Sequence, residues 1–209
     1  MSLGKKSVLL VLIILIIDQV LKIWIKTHMM LGQEITLFGN WGFIHFTENN
    51  GMAFGMEFGG NLGKLALSFF RIIAVGAIGW YLWYLIKNKA NTGLVLSIAA
   101  IFAGALGNII DSVFYGLIFN ESYYNVATLF PDGGGYASLL QGKVVDMFYF
   151  PILDGQYPSW FPFWGGEQFL FFRPVFNVAD SAITLGVLSI LIFQRSFFKD
   201  EFKAKQDVA

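Results

Sequence analysis

No cysteine occurs among the 209 residues. Disulfides, thiol nucleophiles and cysteine-based metal sites are therefore excluded. Histidine is nearly as scarce. His28 and His45 are the two present, and no H-E-x-x-H is formed, so a zinc peptidase built on histidines has no ligand set here. Charge is scarce too: Asp, Glu, Lys and Arg make up 13% of the chain, against about 25% in soluble domains. There is no internal repeat and no low-complexity segment. What fills the chain instead is 56% hydrophobic and 18% aromatic, with a mean hydropathy of +0.62. This is the composition of an integral membrane protein, short enough to form one domain over 1–209.

Four apolar runs, at about 7–27, 65–86, 92–114 and 176–195, are expected to cross the membrane as helices. The first follows Lys5 and Lys6, as a signal peptide would, but it is too long and no small-x-small site follows it. It is read as a retained span. In the second, Trp80, Tyr81, Trp83 and Tyr84 form an aromatic belt. In the third, Ala99, Ala103 and Gly107, and likewise Ala100 and Gly104, recur every four residues, a spacing that lets helix backbones approach closely. Between spans one and two, alternation around a Gly39-Asn40 turn predicts short strands over Ile35–Phe38 and Phe43–Thr47. Residues 115–175 form a long loop crowded with aromatic residues that favour a membrane interface.

Positive charge sets the expected orientation. Lys5, Lys6, Lys87, Lys89, Arg195, Lys199, Lys203 and Lys205 lie in the N-terminus, the loop between spans two and three, and the tail. Residues 28–61 contain no Lys or Arg, and 115–175 contain Lys143 and Arg173. Both termini are then cytoplasmic and the two large loops are outside.

Isolated polar residues inside the spans mark function by default. In this orientation Asp18 and Lys22 lie in the outer half of span one. Asn108 and Asp111 lie about 16 and 19 residues into span three, again towards the outer face. Asn177 and Asp180 sit at the outer end of span four, three apart and so on one helix face. Polar residues of three helices thus gather at one depth. Each also has a plainer reading: Asp18 and Lys22 can neutralise each other at i, i+4, and Asn108 and Asp111 can simply bond helices together. Arg71 either reaches the same level or snorkels to the headgroups. Asp146 on spacing alone reads as an exposed strand residue. Glu48, Glu121, Asp132, Asp154 and Glu167 read as solvated charges, and His45 as a strand-surface residue. Position in a helix favours Asp111 as the partner of Asp180.

Five stretches taken together go further. They are Asp18-Gln19-x-x-Lys22, Asn50-Gly51-x-Ala53-Phe54-Gly55, Gly104-Ala105-x-Gly107-Asn108-x-x-Asp111, Val144-Val145-Asp146-x-Phe148 and Phe176-Asn177-x-Ala179-Asp180-Ser181. In this order the chain resembles bacterial lipoprotein signal peptidase, or signal peptidase II, over nearly its whole length. The resemblance implies a membrane all-α fold: a bundle of four transmembrane helices with a small extracytoplasmic β-like cradle and a long extracytoplasmic loop. It implies an aspartic endopeptidase of the bacterial inner membrane that cleaves prolipoproteins before a lipid-modified cysteine. Asp146 and Asp180 match its catalytic pair. Asp18, Lys22, Asn50, Gly51, Asn108, Asp111, Asn177 and Ala179 match positions that shape or bind the substrate site. No metal or cofactor is implied. The implied partners are lipid-modified prolipoproteins and membrane lipids, not nucleic acid, and the implied state is a monomer. The resemblance departs at Ser112, where the family usually carries arginine, with Arg71 or Arg173 as substitutes. It departs again in the loop from Tyr115 to Pro174, which is longer than in most members.

Other classes fit less well. A small transporter would show an inverted repeat or broken helices near the midplane, and the polar cluster is off-centre. Membrane aspartic proteases of the presenilin and prepilin-peptidase kind carry Gly-x-Gly-Asp, which is absent. A serine–lysine leader peptidase would need an outward Ser/Lys pair, and none stands out.

The orientation is directly testable because the chain has no cysteine. A cysteine placed at Asp132 is expected to react with an impermeant thiol reagent in intact cells. One placed at Asn91 is expected to react only after permeabilisation. The reverse pattern would invert the topology.

Overall fold

The structure is a computed structural model and describes residues 1–50, 60–151, 153–171 and 174–194. Gly51, Arg173 and the basic tail from Arg195 lie outside the described residues. The helices are α1 (Leu3–His28), α2 (Gly60–Lys87), α3 (Thr92–Ile110), the short α4 (Gly116–Ile118) and α5 (Val178–Phe193). A single π turn, Asp111–Tyr115, joins α3 to α4. Three helical stretches, Leu3–His28, Leu62–Lys87 and Thr92–Ile118, are long and apolar enough to cross a membrane. The fourth, Val178–Phe193, is apolar but has only 16 residues. Their outer faces are bare hydrocarbon. Val8, Leu12, Ile16 and Val20 on α1, Phe69, Phe70 and Ile73 on α2, and Leu185, Leu188 and Leu191 on α5 are all exposed. In a bilayer those faces meet lipid, and each helix satisfies its own backbone.

Where helices meet, small residues let them close. A β-carbon at Gly107 would lie 2.7 Å from Asp18 Oδ2, and one at Gly186 would lie 2.8 Å from Ser97 O. One at Gly104 would overlap the Ala179 carbonyl. The four-residue spacing seen in span three is thus the seam along which α1 and α5 pack on α3.

Strands β1 (Glu34–Phe38), β2 (Gly42–Asn49), β3 (Val144–Tyr149) and β6 (Val175–Phe176) form an antiparallel sheet in the order β1-β2-β3-β6. The expected hairpin after α1 is present, somewhat longer than its alternation predicted. The segment 115–175 is not the unstructured loop that the sequence implied. It contributes β3 and β6 to this sheet, and β4 (Leu153–Gln156) and β5 (Gln168–Phe171) form a separate two-stranded hairpin. Residues 119–142 fold back on the end of α3. A helix end leaves carbonyls without partners, and here the returning chain supplies the donors. Gly142 N donates to Ser112 O at 2.8 Å, Leu140 N to Val113 O at 3.2 Å and Ala137 N to Gly116 O at 2.9 Å.

An apolar core joins the sheet to the C-terminal ends of α1 and α3: Ile25, Met29, Phe46, Tyr115, Phe119, Ala127, Val145 and Met147. One ammonium enters it. Lys26 is fully buried, pairs with Glu48 of β2, and donates to Ser122 Oγ at 3.1 Å. The Phe119 and Tyr136 rings stand 5.2 and 5.1 Å from its nitrogen. Glu48 was read as solvated, but its side chain is only 2% exposed. Alternation along β2 turns it inwards with Phe46, and the Lys26 charge makes that burial tolerable. Lys143 approaches the same carboxylate at 3.6 Å.

Breaking a buried ion pair by removing one partner costs about 3–5 kcal/mol, whereas replacing both with apolar residues is often neutral. Lys26→Met is therefore expected to lower the thermal unfolding midpoint strongly, and Lys26→Met/Glu48→Met to recover most of the loss. A single substitution with an unchanged midpoint would mean that the pair holds nothing together.

Candidate active site

The site begins at a helix cap. Asn177 precedes α5, and its Oδ1 accepts from Asp180 N at 2.9 Å. Asp180 Oδ2 accepts from Asn177 N at 3.3 Å in return. This reciprocal box satisfies two donors that a helix start would otherwise leave bare. It also leaves the Asn177 amide nitrogen free to point away from α5. That nitrogen donates to Asp146 Oδ1 at 2.8 Å, to Asn108 Oδ1 at 3.1 Å and to Val145 O at 3.2 Å. Asn108 Nδ2 donates onward to Asp180 Oδ1 at 2.8 Å. Two carboxamides thus bridge two carboxylates, one from strand β3 and one from helix α5.

A second tier holds the first. Lys22 Nζ donates to Asn108 Oδ1 at 2.8 Å, and it pairs with Asp18 at 2.9 Å and Asp111 at 2.8 Å. All three of these charged side chains are fully buried. With both of its neighbours donors, the Asn108 oxygen is fixed in place, and its NH2 is turned onto Asp180. Asp18 Oδ1 accepts from Ala179 N at 2.9 Å, which ties α1 to the first turn of α5. Asp111 Oδ2 accepts from Val145 N at 3.2 Å, which ties the end of α3 to β3 beside Asp146. Gln19 completes the set: its amide donates to Asp111 Oδ1 at 2.9 Å and Asp18 Oδ2 at 3.1 Å, and its oxygen accepts from Tyr115 OH at 3.2 Å.

Of the positions marked in the sequence, Asp18, Lys22, Asn108, Asp111, Asp146, Asn177, Ala179 and Asp180 therefore come together. Asn50 accepts from Lys64 Nζ at 2.8 Å. Its neighbour Asn49, which the sequence reading passed over, donates its amide to Asp146 Oδ2. The register explains the difference. Thr47 is the cross-strand partner of Asp146, and Asn49 lies two residues on, on the same face of β2. Asn49 is legible only once that pairing is known. Ser112 is buried, and its hydroxyl folds back onto Asn108 O at 3.0 Å. Arg71 is half-buried on α2, where the carboxylates of Asp180 and Asp146 are the charges that act on it.

Asp146 is 4% exposed. Burial, reinforced by the Asp180 carboxylate, pushes its pKa from 3.8 up to about 7, against the pull of the amides of Asn49 and Asn177 and the Lys22 charge. Asp180 opens instead onto an apolar groove of about 450 Å³ lined with Pro174, Phe176, Ser181, Thr184 and Leu185. A buried carboxyl group whose pKa is raised towards neutrality therefore stands near a second carboxyl group on the wall of an apolar groove. Such an arrangement can give a proton and take one.

Comparison with known proteins agrees with the motifs. The model of the family described as signal peptidase (SPase) II matches residues 10–197. The chain belongs to the signal peptidase II family. The lipoprotein signal peptidase of Porphyromonas gingivalis is 52% identical over 190 residues, covering 90% of this chain and 82% of that one. That of Amoebophilus asiaticus is 39% identical over 188 residues, covering 88% and 75%. Two solved bacterial membrane enzymes share the fold. One superposes with a TM-score of 0.61 at 27% identity, covering 94% of this chain and 90% of its own. The other gives 0.59 at 29%, covering 91% and 93%. The hairpin β4–β5 and the folded segment 119–142 lie between the motif stretches.

The pKa of Asp146 has a consequence for stability. Its folded value lies above its ordinary one, so the folded chain holds the proton more tightly than the unfolded chain does. The resulting stabilisation is present below pH 3.8 and is lost as pH rises through about 7. Asp146→Asn cannot titrate. The melting temperature of the native chain, relative to that variant, is expected to fall across this window. A constant difference would place the Asp146 pKa elsewhere.

Proposed function

We propose that this chain is an aspartic endopeptidase that removes signal peptides from prolipoproteins, with Asp146 and Asp180 as its catalytic pair. The observation that carries the proposal is the bridge through Asn108 and Asn177, which aims two carboxyl groups from different elements at one place beside an apolar groove. The named relatives are lipoprotein signal peptidases. Their substrate class is assigned here to this chain, with cleavage just before the lipid-modified cysteine.

The chemistry follows from the geometry. Two neighbouring carboxyl groups share a proton because ionising both is costly. The ionised member draws a proton from a water molecule, whose oxygen attacks the scissile carbonyl. The protonated member donates a hydrogen bond to that carbonyl oxygen, and the leaving amine is then protonated by the pair. Water adds across the C–N bond and no covalent intermediate forms. The proton belongs to the pair rather than to one residue. Amide donors suit this role, because Asn49, Asn108 and Asn177 hold the carboxyl groups without adding charge. The groove beside Asp180 offers an apolar wall to a signal-peptide segment or a lipid chain.

The proposed architecture has four spans, with α5 as a short fourth. Both termini are cytoplasmic and the site faces the outer leaflet, where a lipid-modified precursor carries its acyl chains. Asp18, Lys22 and Asp111 act as the positioning tier, and Asn108, Asn177 and Ala179 sit closer to the substrate.

The decisive experiment compares a lipid-modified precursor with the same precursor lacking its lipid. Cleavage of the first alone is expected. Asp146→Asn and Asp180→Asn are each expected to abolish cleavage in a folded protein that still binds precursor. Asp111→Asn is expected to lose stability yet retain residual turnover. A folded, binding-competent but inactive Asp111→Asn beside an active Asp146→Asn would overturn the assignment.

A further inference from the structure

The hairpin β4–β5 stands between the strand of Asp146 and the helix of Asp180, and nothing in the site uses it. Its strands pair with each other, Leu153 with Phe171 through Gln156 with Gln168, in a sheet apart from the main one. Its tip is an ordered turn. Tyr157 N donates to Glu167 O at 2.9 Å, Gly166 N to Tyr157 O at 3.0 Å and Phe161 N to Pro158 O at 2.9 Å. Inside the turn the rings of Tyr157 and Phe161 stack at 5.0 Å, with Trp164 6.4 Å from the first and 6.3 Å from the second.

Two further rings at the tip are bare: Trp160 is 77% exposed and Phe163 93%, and Trp164, at the edge of the stacked group, is still 53% exposed. Phe163 has φ 73°, a left-handed conformation that bulky residues resist, and its ring meets that of Trp164 edge-on at 6.2 Å. No charged residue lies between Asp154 and Glu167. In the segment 119–142, Tyr136 and Phe119 face inwards around the Lys26 ammonium, while Tyr124 and Phe130 are exposed.

We propose that this hairpin is a membrane-interface arm, with Trp160, Phe163 and Trp164 seated among the headgroups of the leaflet that the site faces. Three observations select lipid as the occupant. The chain is membrane-embedded. The tip joins large aromatic rings with glycine and proline and has no charge, which suits the interface, and its uncharged rim offers nothing to steer a protein partner. The base of the arm also runs directly into lipid-facing surface. Pro174 and Phe176, just beyond β5, line the groove with Leu185, itself 66% exposed on α5. Seating the arm fixes the depth of the loop that joins β3 to α5. It thereby sets the level in the bilayer at which Asp146 and Asp180 meet a substrate.

The absence of cysteine makes the test clean. Ser159→Cys places one fluorescent label on the tip while leaving the three rings intact, and Asp132→Cys places one on an exposed turn elsewhere. The full-length protein is reconstituted in nanodiscs of phosphatidylcholine and phosphatidylglycerol. Quenching is measured with brominated lipid and with aqueous iodide. The label at Ser159 is expected to be quenched by the lipid and shielded from iodide, and the label at Asp132 to show the opposite. Adding Trp160→Ser/Phe163→Ser/Trp164→Ser to the first variant is expected to bring iodide access back. Iodide access at Ser159 equal to that at Asp132 would overturn the proposal. Shielding that appears only when precursor is added would also overturn it, making the arm a substrate contact. The measurement needs no turnover, so it stands whether or not the peptidase reading does.

Discussion

The site depends on one ammonium group. Lys22 sits in the middle of the helix bundle with no solvent contact, and three oxygens converge on it from α1 and α3. A buried charge must be paired and hydrogen-bonded, and this one is matched on every side. Its least conspicuous contact matters most. By donating to the Asn108 oxygen, it decides which way that carboxamide faces, and hence that Asp180 meets a donor. Without the lysine, Asp18 and Asp111 would confront each other in the bundle interior, and leaving buried charge uncompensated typically costs about 3–5 kcal/mol. The arrangement resembles a keystone more than a salt bridge.

Folding and chemistry are therefore difficult to separate here. Asp18 holds the Ala179 backbone and Asp111 the Val145 backbone. Each of those residues is next to an aspartate of the pair. The helix seam contributes as well. Gly104 and Gly107 bring α3 close enough for Asn108 to bridge between α1 and α5, and larger residues would push the donors out of range. The π turn at Asp111–Tyr115 re-aims the end of α3 just where its carboxylate leaves the helix, which is where such turns tend to occur in functional sites.

Much of this was legible in one sequence, and the limits have physical causes. Local spacing is visible. The i, i+4 pair Asp18 and Lys22, the Asn177–Asp180 cap and the small residues of α3 all carry their geometry in their separation. Pairing between distant strands is not visible. Helix periodicity alone pointed to Asp111, and only the resemblance pointed to Asp146, because the β2–β3 register that buries it links residues about a hundred positions apart. The same register places Asn49, the last residue of β2, on the face of Asp146. Glu48 looks like a surface charge because Lys26, which compensates it, is near only after folding. The hairpin β4–β5 reads as loop because strands of four residues are too short to show a clear alternation.

The pairing of Tyr149 with Val175 closes the base of that hairpin in two residues of sheet. Seen from Asp146 and Asp180, everything between those residues is a detour that departs and returns at one fixed point. Lengthening such a detour is inexpensive, since each doubling of a flexible loop adds only about 0.6 kcal/mol of closure entropy. The main sheet thus acts as a ferrule, gripping the chain so that what hangs beyond it can vary without disturbing the grip. The same junction offers protein engineers a splice point at which a foreign domain could be hung over an unaltered active site.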